Sequence, residues 1–227
     1  MTAPAEAVPV RIDFVSDVVC PWCAIGLAAL EQAIARVGDA VAVELHVQPF
    51  ELNPQMAPEG EPIDAHLRGK YGLSDAQLEQ NREAIRARGA ALGFTFAQGA
   101  RSRIYNTFDA HRLLHWAGLE GRQRPLKQAL LRAYFTDGED VSDRATLARI
   151  ATAVGLPAER AMQVLSSDAY ADAVRADEQA FQRAGINAVP AVVLDRQYLV
   201  SGGQPVEVFE RALREVAAAK REARAPE

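Results

Sequence analysis

The chain has almost no cysteine: two among 227 residues, Cys20 and Cys23, with only Pro21 and Trp22 between them. So few thiols exclude the small secreted scaffolds held together by several disulfides. A bridge across so short a loop would also remove little unfolded-chain entropy, which makes the pair a poor structural staple and points to reactivity instead. The chain also has no basic tract. Its 30 acidic residues outnumber 25 basic ones for a formal net charge of −5, which excludes the nucleic-acid backbone as its main partner. No apolar run approaches the ~18 residues needed to span a bilayer, so no membrane partner is expected. The first nine residues, MTAPAEAVP, carry Glu6 but no lysine or arginine, and no apolar stretch follows. The layout of an export leader is therefore missing and a cytoplasmic location is expected. Internal repeats and low-complexity segments are absent too. What remains has 49% hydrophobic residues, enough for an ordinary core in a chain of this length.

Strand signals lie at the two ends. Val10–Val15 is mostly apolar and β-branched, and Val41–Val47 follows the same pattern. Between them Cys23, Leu27, Leu30, Ile34 and Val37 recur at helical spacing from Pro21 onward, and Gly38-Asp39 ends that helix. A strand, helix, strand order with short links favours parallel pairing and a right-handed crossover. Pro54, Pro58 and Pro62 punctuate a loop, after which most segments to about residue 185 read as helix. These are Asp75–Leu92 capped by Ser74, Asn106–Ala117, Pro125–Phe135, Asp143–Val154 and Pro157–Leu165, then Ala169–Ala184 capped by Asp168 and closed by Gly185. Ala191–Leu194 and Tyr198–Val200 make a hairpin around Asp195-Arg196-Gln197. A last helix starts with Pro205 at its first position and carries Phe209, Leu213 and Val216, and the tail KREARAPE is expected to fray. Strands at both ends must meet to form one sheet. The expected architecture is therefore a single α/β domain, residues 8–50 and 168–220, interrupted by a helical insertion, residues 51–167.

A Cys-x-x-Cys directly after a strand and at a helix start is a redox signal. With Pro21 at the first helical position, Cys20 becomes the cap residue, and its sulfur faces the free N–H groups of Trp22 and Cys23 and the positive end of the helix. Both effects favour a thiolate, so Cys20 is expected to be the exposed attacking sulfur, with a pKa below the ~8.5 of a free cysteine. Cys23, one turn inside on the apolar face, is the buried resolving sulfur. Three plainer readings compete. Free cysteines pack well in cores, although packing does not explain a helix-start pair with proline between. His111 and His115, four apart on a helix, would complete a zinc site, but they lie far beyond the ~12–15 residues that separate the ligand pairs of a finger, so no metal is assigned. A structural disulfide is the third.

Several motifs in order resemble one family. They are Phe14-x-Ser16-Asp17-x-x-Cys20-Pro21-Trp22-Cys23-x-x-Gly26, Pro49-Phe50-x-Leu52-Asn53-Pro54, Asn106-Thr107-x-x-Ala110-His111-Arg112-Leu113 and Val189-Pro190 before the late hairpin. Together they resemble the DsbA-like thioredoxin-fold proteins, most closely the cytoplasmic FrnE-type branch, over about Val10 to Ala219. The resemblance implies a thioredoxin fold with an all-helical insertion between its βαβ and ββα halves, and thiol–disulfide oxidoreductase activity on protein or small-molecule thiols and disulfides. It implies no tightly bound cofactor, with glutathione as a candidate redox partner.

The resemblance also assigns roles to single residues. Pro190 would be the cis-proline beside the cysteines, leaving the Val189 backbone to pair with an extended substrate; the plain alternative is an ordinary trans proline at a strand start. Asp13 is the candidate buried acid that exchanges protons with the inner cysteine, or else a partly solvated strand aspartate. Asn53 and Gln204 sit in loops that would reach the same cleft, as in glutathione-binding relatives, although Asn53 also suits a loop cap before Pro54. Trp22 stands where DsbA has histidine, so the reduced form should be less stabilised. The expected potential lies between the ~−120 mV of DsbA and the ~−270 mV of thioredoxin. Two other functions fit the resemblance less well: a glutathione-dependent isomerase or transferase, whose relatives usually offer a serine where this chain has cysteine, and a peptide-binding chaperone.

Overall fold

The computed structural model describes residues 7–57 and 59–223. Most of MTAPAEAVP, Pro58 and the last four residues of the tail lie outside the described residues. The chain runs β1 (Val8–Ser16), α1 (Pro21–Val37), β2 (Val41–Pro49), β3 (Glu61–Pro62), α2 (Ile63–Tyr71), α3 (Asp75–Ala91), β4 (Arg103–Ile104), α4 (Phe108–Leu119), α5 (Gln123–Phe135), α6 (Arg144–Ala153), α7 (Ala158–Leu165), α8 (Ala171–Arg183), β5 (Ala191–Leu194), β6 (Tyr198–Ser201) and α9 (Val206–Glu222).

The main sheet has the order β2-β1-β5-β6. β1 and β2 pair in parallel from Val8 opposite Val41 to Ser16 opposite Pro49, as a strand–helix–strand unit requires. β5 joins β1 antiparallel, with Phe14 opposite Val192, and β6 closes the late hairpin. At its turn Asp195 and Arg196 both take positive φ, 49° and 59°, and the Gln197 N–H donates to the Leu194 carbonyl at 3.0 Å. Two successive left-handed residues give the twist that suits a two-residue hairpin.

β1 is central, so both of its faces are covered. Val10, Ile12 and Phe14 share one cluster with Leu27 and Leu30 of α1 and Phe209 and Leu213 of α9. Val15, of opposite parity, packs with Phe50, Ile186, Ala191 and the α8 residue Phe181. The first cluster continues without a break into Leu113 and Trp116 of α4 and Leu130 and Tyr134 of α5. The fold is the thioredoxin type, with helices inserted between β2 and β5, and those helices share the core of the sheet.

Local signals explain most helix starts. Ser74 and Gln77 form a reciprocal capping box on α3, and Asp143 accepts the Thr146 N–H at 2.7 Å at the start of α6. Three expectations need correction. Asp168 is not the cap of α8: Tyr170 occupies that place with φ 64°, because Arg112 gathers the carbonyls of Val164, Ser167 and Ala169 and fixes the preceding turn. Pro205 is the cap of α9 rather than its first residue. Lys220, Arg221 and Glu222 of the expected frayed tail are helical, and the Lys220 Nζ pairs with Asp195 while Arg221 donates to the Ala40 carbonyl.

Candidate active site

Cys20 caps α1 with extended backbone and Pro21 follows it, so the pair sits where a strand ends and a helix begins. The two sulfurs differ in environment. Cys23 is fully buried, and burial together with the neighbouring Cys20 sulfur pushes its thiol well above the usual range. Cys20 is held below that range, first by the adjacent Cys23 thiol and then by the Cys23 and Trp22 N–H groups at the helix start, which outweigh burial and the nearby Asp17 charge. No cap hydrogen bond of normal geometry reaches the Cys20 side chain, so the N–H groups act on it as dipoles. The expectation of an exposed Cys20 is corrected: it is only 4% exposed, whereas Trp22 beside it is 38% exposed.

The cover over Cys20 comes from the late hairpin. Its Sγ donates to the Val189 carbonyl at 3.7 Å, so that carbonyl is occupied in the dithiol form rather than free. The Val189–Pro190 peptide bond is cis and Pro190 is buried. Two glycines allow the hairpin to approach. A Cβ on Gly26 would stand 3.0 Å from Pro190 Cγ, and one on Gly203 would stand 3.0 Å from the Trp22 carbonyl oxygen. Arg88 of α3 lies 5.6 Å from the Trp22 ring centroid and donates to the Gly203 carbonyl at 2.7 Å, which fastens the inserted helices to the mouth of the site.

Asp13 is not beneath the cysteines. Strand alternation turns it to the face opposite Ile12 and Phe14, whose cluster contains both cysteines. There it takes a two-pronged contact from Arg11, at 2.6 and 2.8 Å, and a 2.6 Å hydrogen bond from Gln48. Burial raises its pKa, but those donors and the Arg11 charge outweigh it and hold the carboxyl below its ordinary range.

The acid near the sulfurs is Asp17 of the Phe14-x-Ser16-Asp17 motif, a residue to which spacing alone assigns no role. It is fully buried, accepts the Val18 N–H at 2.6 Å and the Leu52 N–H at 2.8 Å, and so ties together the loops after β1 and β2. His111 of α4 brings Nε2 to 3.5 Å from Asp17 Oδ1, an ion-pair distance without hydrogen-bond geometry. Burial raises the Asp17 pKa, but His111, the Leu52 N–H and Lys127 outweigh it and hold the carboxyl low. Lys127 of α5 was missed outright. It is fully buried, and its Nζ is one of the buried side-chain atoms without a hydrogen-bond partner among the described residues. The signal was present: Lys127, Leu130, Leu131 and Tyr134 share one apolar helical stripe, where lysine is out of place. His115 points elsewhere, to Asp177 at 3.7 Å and the Tyr170 ring.

The two loop candidates differ. Asn53 accepts from Lys70 Nζ at 2.7 Å, and its Nδ2 is buried without a partner among the described residues. The end of α2 also brings Tyr71 within electrostatic reach of Cys20: burial, then the Cys20 charge, raises the phenol pKa. Gln204 folds back to donate to the Ser201 carbonyl at 2.8 Å, in the loop where the Gly202 N–H reaches the Pro190 carbonyl. Its amide is committed locally rather than aimed at the sulfurs.

The chain is similar to several known proteins. A probable DsbA oxidoreductase from Streptomyces coelicolor shares 39% identity, with 96% of this chain and 92% of that chain covered and a TM-score of 0.88. The Bacillus subtilis (strain 168) protein YwbO is 27% identical over 205 residues, 90% of this chain and 96% of YwbO. The cytosolic disulfide reductase DsbM from Pseudomonas aeruginosa, solved with GSH, shares the fold at 18% identity and a TM-score of 0.61, covering 90% of this chain and 98% of that chain. The model of the DSBA-like thioredoxin domain matches residues 11–214, and the chain belongs to that family.

Proposed function

We propose that this protein is a cytoplasmic thiol–disulfide oxidoreductase of the FrnE-type branch, with Cys20 as the attacking and Cys23 as the resolving sulfur. One observation carries the reading: two cysteines one turn apart open α1, Cys20 at the cap before Pro21 and Cys23 fully buried behind it, a placement that favours thiolate at the first and thiol at the second. In disulfide reduction the Cys20 thiolate attacks one sulfur of R–S–S–R′, forming a mixed disulfide and releasing R′S⁻. Cys23 loses its proton and attacks Cys20 Sγ, which closes the Cys20–Cys23 disulfide and releases RS⁻; both released thiolates take protons from solvent. The reverse sequence oxidises a dithiol. Pro190 and the Val189 backbone line the site where the substrate sulfur must enter.

A small thiol such as glutathione is a suitable co-substrate. The Asn53 Nδ2, buried without a partner among the described residues and beside Lys70 of α2, supports this reading, in keeping with the GSH in the DsbM structure. Replacing Cys20 with Ser is expected to abolish disulfide reduction, and Cys23→Ser to accumulate mixed disulfides seen by intact-mass measurement. Full reductase activity in Cys20→Ser overturns the mechanism.

A further inference from the structure

Two cations of the inserted helices border the active site of a chain whose net charge is −5. Arg88 of α3 lies over the ring of Trp22, the exposed residue between the two cysteines, 5.6 Å from its centroid. Lys70 of α2 donates from Nζ to the Leu52 carbonyl and to the Asn53 side chain, both at 2.7 Å. Leu52 packs in one apolar cluster with Val189, whose carbonyl receives the Cys20 thiol, so this second cation belongs to the same rim. Nearby acids do not balance the pair. Asp17 is fully buried and engaged by the Val18 and Leu52 N–H groups, and Glu51 is buried and paired with Arg175 of α8.

Arg88 also differs from its neighbours on α3. Arg82 and Arg86 are tied to Asp64, Glu79 and Glu83, whereas Arg88 has no carboxylate partner among the described residues. A guanidinium carries several N–H donors in a fixed fork, and the protein uses this one through Nη2 alone, on the Gly203 carbonyl at 2.7 Å. A half-buried guanidinium is thus held beside the cysteine pair by a carbonyl and an aromatic ring, with its remaining donors unclaimed by any acid. Such a fork binds a carboxylate through two parallel hydrogen bonds.

We propose that Arg88 selects the substrate: the protein acts on peptide disulfides with an acidic residue beside the reacting cysteine, and Arg88 pairs with that carboxylate while the peptide sulfur meets Cys20. This rests on the oxidoreductase reading above and names its substrate class. Consecutive residues of an extended peptide advance by ~3.3–3.6 Å, a scale that suits the two-residue step from Cys20 to Trp22. Arg88 is a specificity residue and takes no part in the exchange of bonds. Its hold on Gly203 and Trp22 also fastens the helices, but fastening alone is blind to the charge of the substrate.

The test uses short capped peptides, identical except for glutamate, glutamine or lysine before their one cysteine, each joined through that cysteine to a coloured aromatic thiol. The Cys20 thiolate forms a bond to the peptide sulfur as the bond to the aromatic sulfur breaks, and the aromatic thiolate leaves with the electron pair. Dividing each rate by that of a small neutral thiol with the same peptide removes the intrinsic effect of the neighbouring charge. The parent chain is expected to take the glutamate peptide about three- to fivefold faster than the glutamine one, with lysine slowest, and the spread to shrink as salt is raised. Arg88→Gln is expected to level the rates and Arg88→Glu to reverse their order. A fall by one common factor, with the order intact, overturns the proposal. Equal rates for the glutamate and glutamine peptides in the parent chain do so without any variant, even where the mixed disulfide of glutathione reacts faster. If no peptide yields coloured thiolate, the oxidoreductase reading itself fails, which is a different result.

Discussion

Cys20 and Cys23 show how residues of one type acquire different chemistry within one helical turn. The cap position exposes Cys20 to N–H dipoles, while Cys23 faces the core, and both facts follow from spacing. The contrast between the aspartates could not be read that way. Asp13 and Asp17 both follow strand-like residues, and only the parity of β1 sends Asp13 to the far face. Its pairing there is a stability element. Because Arg11 and Gln48 hold the Asp13 carboxyl below its unfolded value of ~3.9, the folded state binds fewer protons than the unfolded state in the acid range. The stabilisation is complete above that value and disappears as pH falls through the lower folded one. Asp13→Asn is expected to cost about 1–3 kcal/mol near neutrality. Melting curves of variant and parent should converge on acidification, while Cys20 reactivity is unchanged. A constant gap down to the acid limit contradicts the pairing.

At the scale of elements, α1 is set in place from two sides. Pro190 rests against Gly26, and Gly203 rests against the Trp22 carbonyl, so helix and late hairpin meet where a side chain would intrude. Gly26→Ala adds a Cβ 3.0 Å from Pro190 Cγ, a crowding that the gain in helix propensity of ~1 kcal/mol largely offsets. Gly26→Val adds two further methyl groups and loses most of that gain. It is expected to destabilise by about 1–3 kcal/mol and to change the rate of Cys20 alkylation, read by mass spectrometry against the parent. An alkylation rate equal to the parent's removes the hairpin from the control of Cys20. Other elements were legible because their signals are local: the Ser74 cap, the Asp143 cap and the Asp195-Arg196 turn each act within a few residues. The start of α8 was misplaced because Arg112, 57 residues from Ala169, decides it.

For the whole molecule we propose the division into residues 8–50 with 168–220 and an inserted 51–167, with the qualification that one apolar cluster runs through both. The insertion therefore does more than cap the site, since it supplies His111 and Lys127 beneath it and Arg88 at its mouth. The redox potential belongs to this scale, because it compares the two forms of the entire fold. With Trp22 in the central position and Lys127 buried near the pair, a titration against glutathione is expected to give a value between ~−270 and ~−120 mV, and a value above that range contradicts it. The sequence by itself determined the fold class, the sheet-forming ends and the cysteine pair, because strand periodicity, helix caps and Cys-x-x-Cys spacing are short-range patterns. The tertiary structure decided which charges stand beside the sulfurs. Asp17 comes from the β1–α1 loop, His111 from α4 and Lys127 from α5, the last two far along the chain from the first, and all three are buried because the inserted helices share the core of the sheet and exclude water from them at once.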